Sequence, residues 1–122
     1  MVESGMMKKL GLAAALAAAA LVSIPASASV KNDVEYLIAQ MKSSDCTFIR
    51  NGSEYDNLQA AEHLQNKWEY AEDRVTSTEI FINEVASKSW FTGRAYQVKC
   101  GEETQTSQQW LTEQLAEKEK SD

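Results

Sequence analysis

Two cysteines, Cys46 and Cys100, are the only thiols in the chain, and they follow a segment that reads as an export leader. Lys8 and Lys9 form its positive start, and Leu10 to Ile24 form an apolar stretch rich in Ala and Leu. Pro25 then breaks the helix, and Ala26-Ser27-Ala28 offers the small residues that a signal peptidase requires. The pattern predicts a signal peptide over 1–28, with translation starting at Met1, Met6 or Met7. Fifteen apolar residues reach about 22 Å as a helix, short of a ~30 Å hydrocarbon core, so no membrane span is expected after cleavage. No cysteine sits just after the cut, which disfavours a lipid anchor of the bacterial lipoprotein kind. The Ala-rich leader looks bacterial, so the expected compartment is the periplasm, an oxidising one. There an even pair of cysteines is expected to bridge. The bridge would close a loop of about 54 residues and contribute on the order of 4 kcal/mol in the chain-entropy model. A redox-active pair would want C-x-x-C spacing, which is missing. Two cysteines and one histidine also fall short of a zinc site with the usual spacing, so neither metal nor cofactor is expected.

What remains, residues 29–122, is one domain by length. The chain carries 12 basic and 18 acidic side chains, a net charge of −6. Losing Lys8, Lys9 and Glu3 with the leader makes it −7. That acidity argues against nucleic acid and against an anionic membrane surface as partners. Every aromatic residue lies beyond the leader, enough for one small core.

Val34, Leu37, Ile38 and Met41 recur at i, i+3, i+4 and i+7. They predict a helix that is capped by Asn32 or Asp33 and ends near Ser43 or Ser44. Asn51-Gly52 between the β-prone runs Cys46–Arg50 and Ser53–Tyr55 signals a hairpin, because a type I′ turn needs positive φ twice. In a bacterial protein the Asn51-Gly52-Ser53 sequon reads as that turn rather than a glycan site. Asp56 with Gln59 makes a capping box for a second helix, whose stripe is Leu58, Ala61, Leu64, Trp68, Ala71 and Val75. Thr76 with Glu79 repeats the box and opens a third helix that buries Ile80, Phe81 and Val85. Trp90–Gly93 reads as a turn. Tyr96, Val98 and Cys100 alternate as one face of a short strand. Gly101–Gln105 reads as loop, Thr106 with Gln109 caps a last helix carrying Trp110, Leu111 and Leu115, and 117–122 reads as a frayed tail. The predicted class is α+β: about four helices and a small antiparallel sheet. The bridge would hold the 46–50 and 96–100 runs side by side, since bridged Cα atoms lie about 5–6 Å apart.

The stretch Cys46-Thr-Phe-Ile-Arg-Asn-Gly-Ser-Glu-Tyr55 carries a family resemblance. So do Ala61-Glu-His-Leu64, Lys67, Phe81-Ile82, Ala86-Ser-Lys-Ser89, Thr92-Gly93, Tyr96 and Trp110-Leu111. Together they resemble the uncharacterised YfeK-like family of small periplasmic proteins from Gram-negative bacteria. The resemblance spans nearly all of 29–122. It implies a periplasmic domain of unknown function and assigns no catalytic residue.

Three kinds of function compete. In a binding or interaction module, Arg50, His63, Lys67, Lys88 and Arg94 would gather beside Asn51 and Tyr96 as an electropositive site for a carboxylate or phosphate. His63 and Lys67, four apart, share a helix face. The domain's acidity would alternatively steer a cationic protein partner, such as a hydrolase that it inhibits. Thr92-Gly-Arg-Ala-Tyr96 is loosely similar to a Ser-Gly-x-x-Tyr loop of some periplasmic lysozyme inhibitors. A small hydrolase would pair His63 with Ser87 or Ser89, but no G-x-S-x-G elbow is present. The third is a structural envelope-maintenance protein. Trp90, Phe91 and Tyr96 around Gly93 would be core if buried, and a docking patch if exposed. The binding module is the primary expectation.

Expressed with its leader, the protein should lose 28 residues and have an intact mass two hydrogens below the reduced value. Quantitative maleimide labelling of the native exported protein would overturn the bridge.

Overall fold

Asp56 is extended (φ −76°, ψ 173°) and accepts from the Gln59 amide at 2.8 Å, while the Gln59 side chain accepts from the Asp56 amide at 3.1 Å. The capping box thus starts a helix where the sequence places one. In the computed structural model, which describes residues 26–121, the elements follow in the order α1 (Ala26–Ser43), β1 (Thr47–Arg50), β2 (Ser53–Tyr55) and α2 (Asn57–Ala71). A 3₁₀ turn (Glu72–Arg74) leads to α3, an α-helical turn (Thr78–Ile80) that widens into a π-helix (Phe81–Ala86). Then come β3 (Gln97–Cys100), β4 (Glu103–Thr106) and α4 (Ser107–Ser121). The predicted leader falls almost wholly on residues 1–25, outside the described residues. Among the described residues no helix is long and apolar enough to cross a membrane.

The fold is α+β, with a four-stranded antiparallel sheet in the order β2-β1-β3-β4. The turn at Asn51 (φ 51°) and Gly52 (φ 83°) joins β2 to β1, as Asn-Gly predicts. β1 pairs with β3 in the register Phe48↔Val98. Cys46 and Cys100 are bridged, with Cα atoms 4.4 Å apart. Because side chains alternate across a strand, this register puts Cys46, Phe48 and Arg50 on the same face as Tyr96, Val98 and Cys100. That face meets the helices. Phe48 and Val98 are buried, Gln97 and Lys99 are exposed, and the Phe48 ring lies edge-on to Trp110 at 5.6 Å. The core continues through Val34, Leu37 and Met41 of α1, Leu64 and Trp68 of α2, and Phe81 of α3.

Several sequence expectations are corrected. The first helix begins well before Asn32, because buried Val30 extends the stripe by a turn. Asp33 caps nothing there. Instead it accepts from Thr78 Oγ1 at 2.6 Å and pairs with Lys118 at 3.5 Å, tying α1 to α3 and α4. Ser77, not Thr76, caps α3 through the Ile80 amide. Ile82 is buried and Ile80 exposed, because Phe81, Ile82, Val85 and Ala86 share the buried face and Ile80 lies outside it. Leu58 is exposed in the first turn of α2. The segment expected as loop after Gly101 is strand β4, paired through Lys99↔Thr104 and Cys100↔Glu103. Residues 117–121, expected to fray, continue α4.

Replacing both Cys46 and Cys100 by Ala should lower unfolding stability by about 4 kcal/mol, read as a drop in the urea midpoint. An unchanged midpoint would show that the loop's closure contributes nothing.

Candidate functional site

Arg50 ends β1 on the core-facing side, at the opposite end of the strand from the bridge. A cationic side chain in that position has nowhere wholly apolar to go. Its guanidinium carbon lies 3.9 Å from the centre of the Tyr55 ring on β2. Its Nε is buried and has no hydrogen-bond partner. An N–H in that state is costly unless something accepts from it.

On α2, Leu64 and Trp68 turn into the core, and His63 and Lys67 are carried to the adjoining edge of that face. Lys67 is only 7% exposed. Its Nζ donates to the Lys88 carbonyl at 2.8 Å and to the Tyr96 hydroxyl at 3.4 Å. It also lies 4.4 Å from the Trp90 ring and 4.8 Å from the Tyr96 ring. Two of its three protons are therefore bound within the chain, and aromatic faces wall in the charge. His63 Nε2 approaches the Tyr96 hydroxyl at 3.5 Å, with the rings 6.2 Å apart. Among the described residues, neither Arg50 nor Lys67 has a carboxylate within ion-pair distance.

The titration behaviour follows from this arrangement. Burial, then the charges of Arg50 and Lys67, lower the His63 pKa to about 4, so its ring is neutral at pH 7. Burial, then Arg50 and Lys88, lower Lys67 to about 8. Burial raises Tyr96 while the Arg50 guanidinium pulls the other way, so Tyr96 stays a phenol that donates or accepts. The site is a half-buried patch of two cations, one neutral imidazole and one phenol.

Arg50, His63 and Tyr96, with Gln97 and Ser107, are the polar residues that line a small cavity. Its remaining walls are chiefly apolar, with Phe48, Leu64, Trp110 and Leu111 among them. Four of the seven residues proposed from sequence, Arg50, His63, Lys67 and Tyr96, are thus brought together. The other three lie close by, and neither they nor Lys67 line the cavity. The Lys88 ammonium pairs with Glu84 at 3.0 Å, and only its backbone carbonyl enters the cluster. Asn51 Oδ1 accepts from Thr92 at 2.8 Å, clipping the hairpin tip to the 90–93 turn. Arg94 lies over the hairpin glycine, Gly52. Of the hydrolase candidates, Ser87 donates to the Ile82 carbonyl and Ser89 accepts from the Phe91 and Thr92 amides, so neither is bonded to His63. Among the described residues no group of three or more His, Cys, Asp or Glu is placed to hold a metal.

Sequence reasoning missed Tyr55 and Trp90 as partners of the cations, and it did not see the cavity. Strand parity was the available signal for Tyr55, which pairs with Phe48. Trp90 had none, because its place over Lys67 depends on the path of a loop. Trp90 and Phe91 prove exposed (48% and 100%), whereas Tyr96 is buried at 7%.

The His63 shift has a definite sign. Between its folded pKa of about 4 and the ordinary 6.5, the unfolded chain binds the proton more readily, so this group makes stability fall as pH drops through that window. His63→Gln should therefore lose less stability than the wild type between pH 6.5 and 4 in urea melts. Equal losses would remove His63 as the cause.

A family model described as a family of unknown function, DUF5329, matches residues 28–119. A curated relative, the uncharacterised protein YfeK of Salmonella typhimurium, is 36% identical over 83 residues, covering 64% of this chain and 69% of its own. No solved structure matches. With that family model spanning the helices, the sheet and the cation cluster alike, the chain belongs to the DUF5329 family, whose function is unknown.

Proposed function

We propose that the protein is an exported, non-enzymatic binding module that takes one anionic group at Arg50, with His63 and Tyr96 at its sides and the Lys67 charge behind. The observation that carries this reading is the buried Arg50 Nε without a hydrogen-bond partner, set beside a second buried cation and facing a cavity. In an acidic chain of net charge −6, with carboxylates available all over the surface, two neighbouring cations left without one are an invitation to an outside anion. Charge-assisted hydrogen bonds to such a group are worth more than neutral ones, and partial burial shields them from salt. The serine placements support binding rather than hydrolysis, because His63 holds no nucleophile. Export to the periplasm is part of the proposal and rests on the leader pattern and on the disulfide, which suits an oxidising compartment.

The test is titration of the mature protein with acetate and with inorganic phosphate by isothermal calorimetry and amide-shift mapping. At least one should bind and shift the Arg50 and Tyr96 amides. Arg50→Ala should weaken binding by roughly 10–100-fold, the range for a lost charge-assisted contact. Lys67→Met, which removes a charge standing behind Tyr96 together with its bonds to the Lys88 carbonyl and the Tyr96 hydroxyl, should weaken it less. Affinity should fall as pH rises from 7 to 9.5, because Lys67 loses its proton near 8. Binding that is indifferent to Arg50→Ala would overturn the reading.

A further inference from the structure

The cavity behind Arg50 is small, about 20 Å³, room for about one water molecule or one methyl group. Its deep walls are Met41, Phe48, Leu64, Val98, Trp110 and Leu111. Such walls offer a water few of the two to four hydrogen bonds it needs, yet they suit an apolar group of the same size. The polar end is equally specific. The buried, unpartnered Nε–H of Arg50 and a terminal N–H of the same guanidinium make a planar fork, which matches the two oxygens of a carboxylate.

We propose that the site takes a carboxylate bearing a one- or two-carbon apolar substituent, with the carboxylate on Arg50 and the substituent in the cavity. This rests on the anion-binding reading above and narrows its ligand class. A phosphate brings two more oxygens than a carboxylate, and beyond His63, Tyr96, Gln97 and Ser107 the walls have no donor for them, so hydrogen bonds left unmade there are costly. A long acyl chain exceeds the volume. Two sources share the favoured chemistry: a free short-chain carboxylic acid, and the C-terminus of a peptide ending in alanine.

The experiment is a titration series on the mature protein at constant ionic strength. The probes are acetate, propionate, hexanoate, inorganic phosphate and N-acetyl-alanine, read by calorimetry and by the shifts of the Trp110 indole and the Val98 and Leu111 methyls. Acetate or propionate should bind at least tenfold more tightly than phosphate or hexanoate and should move those signals. Ala60→Val, which narrows the cavity from α2, should cost propionate more than acetate. The size series on the wild type stands by itself if that variant does not fold. N-acetyl-alanine binding tenfold above propionate assigns the peptide terminus, and binding at or below propionate assigns the free acid. Phosphate or hexanoate binding as well as acetate overturns this inference and leaves the anion site intact. If no probe binds, both fall.

Discussion

The pairing of Phe48 with Val98 decides which way every side chain of the two central strands faces, and most of the molecule depends on it. Strand side chains have a period of two, so a one-residue slip would turn Arg50 out to solvent and bring Ile49 inward. Two features oppose the slip. The Asn51-Gly52 turn sets the β1–β2 register from one side, and the Cys46–Cys100 bridge sets the β1–β3 register from the other. β1 is thus held at both ends. Phe48 in its middle anchors the core against Trp110, and Arg50 at its end reaches the polar cluster.

The cluster grades into a row of cations and aromatic rings. Arg74 lies 5.3 Å from the Tyr70 ring, Tyr70 lies 5.8 Å from Trp90, and Trp90 and Tyr96 flank Lys67 at 4.4 and 4.8 Å. Arg50 over Tyr55 repeats the motif on the sheet. Ring faces stabilise a cation without neutralising it. A carboxylate would do more for Lys67, but it would also cancel the field that an incoming anion meets. Burying an ammonium in this way costs stability, as the lowered Lys67 pKa records, and the Lys88 carbonyl offsets part of that cost by joining α2 to the loop after α3.

What could be read from the sequence was local. Capping boxes at Asp56 and Thr106, the Asn-Gly hairpin and the thiol pair all act over a few residues or through a compartment rule, and all four are found. Strand β4 was not legible because Glu103-Thr-Gln-Thr106 has no apolar alternation. Its strand character comes from pairing along β3, not from burial of its own side chains. Ile80 was misread because being apolar beside Phe81 does not put it on the face that Phe81, Ile82, Val85 and Ala86 share. In the cluster, His63 and Lys67 were legible from their i, i+4 spacing. Arg50 joined them through the hairpin it precedes. Lys88 and Arg94 carry the right charge near the right place, but Lys88 pairs locally with Glu84 and neither lines the cavity. No pattern within the chain reveals such local partnerships. They follow from how loops cross once the core is packed.

The π-helix over Phe81–Ala86 makes the length of that segment a structural quantity. A regular helix advances the chain by about 100° per residue and a π-helix by about 80°, so the six residues wound here turn it about as far as five wound as α. One residue fewer would thus let the segment revert to ordinary winding and still leave the Lys88 carbonyl near Lys67 and Lys88 aligned for its strand-like bridge with Ala95. Relatives that share this architecture should therefore accept the loss of one residue between Phe81 and Ser87 more readily than the gain of one, although nothing in the composition of Phe-Ile-Asn-Glu-Val-Ala marks the extra residue.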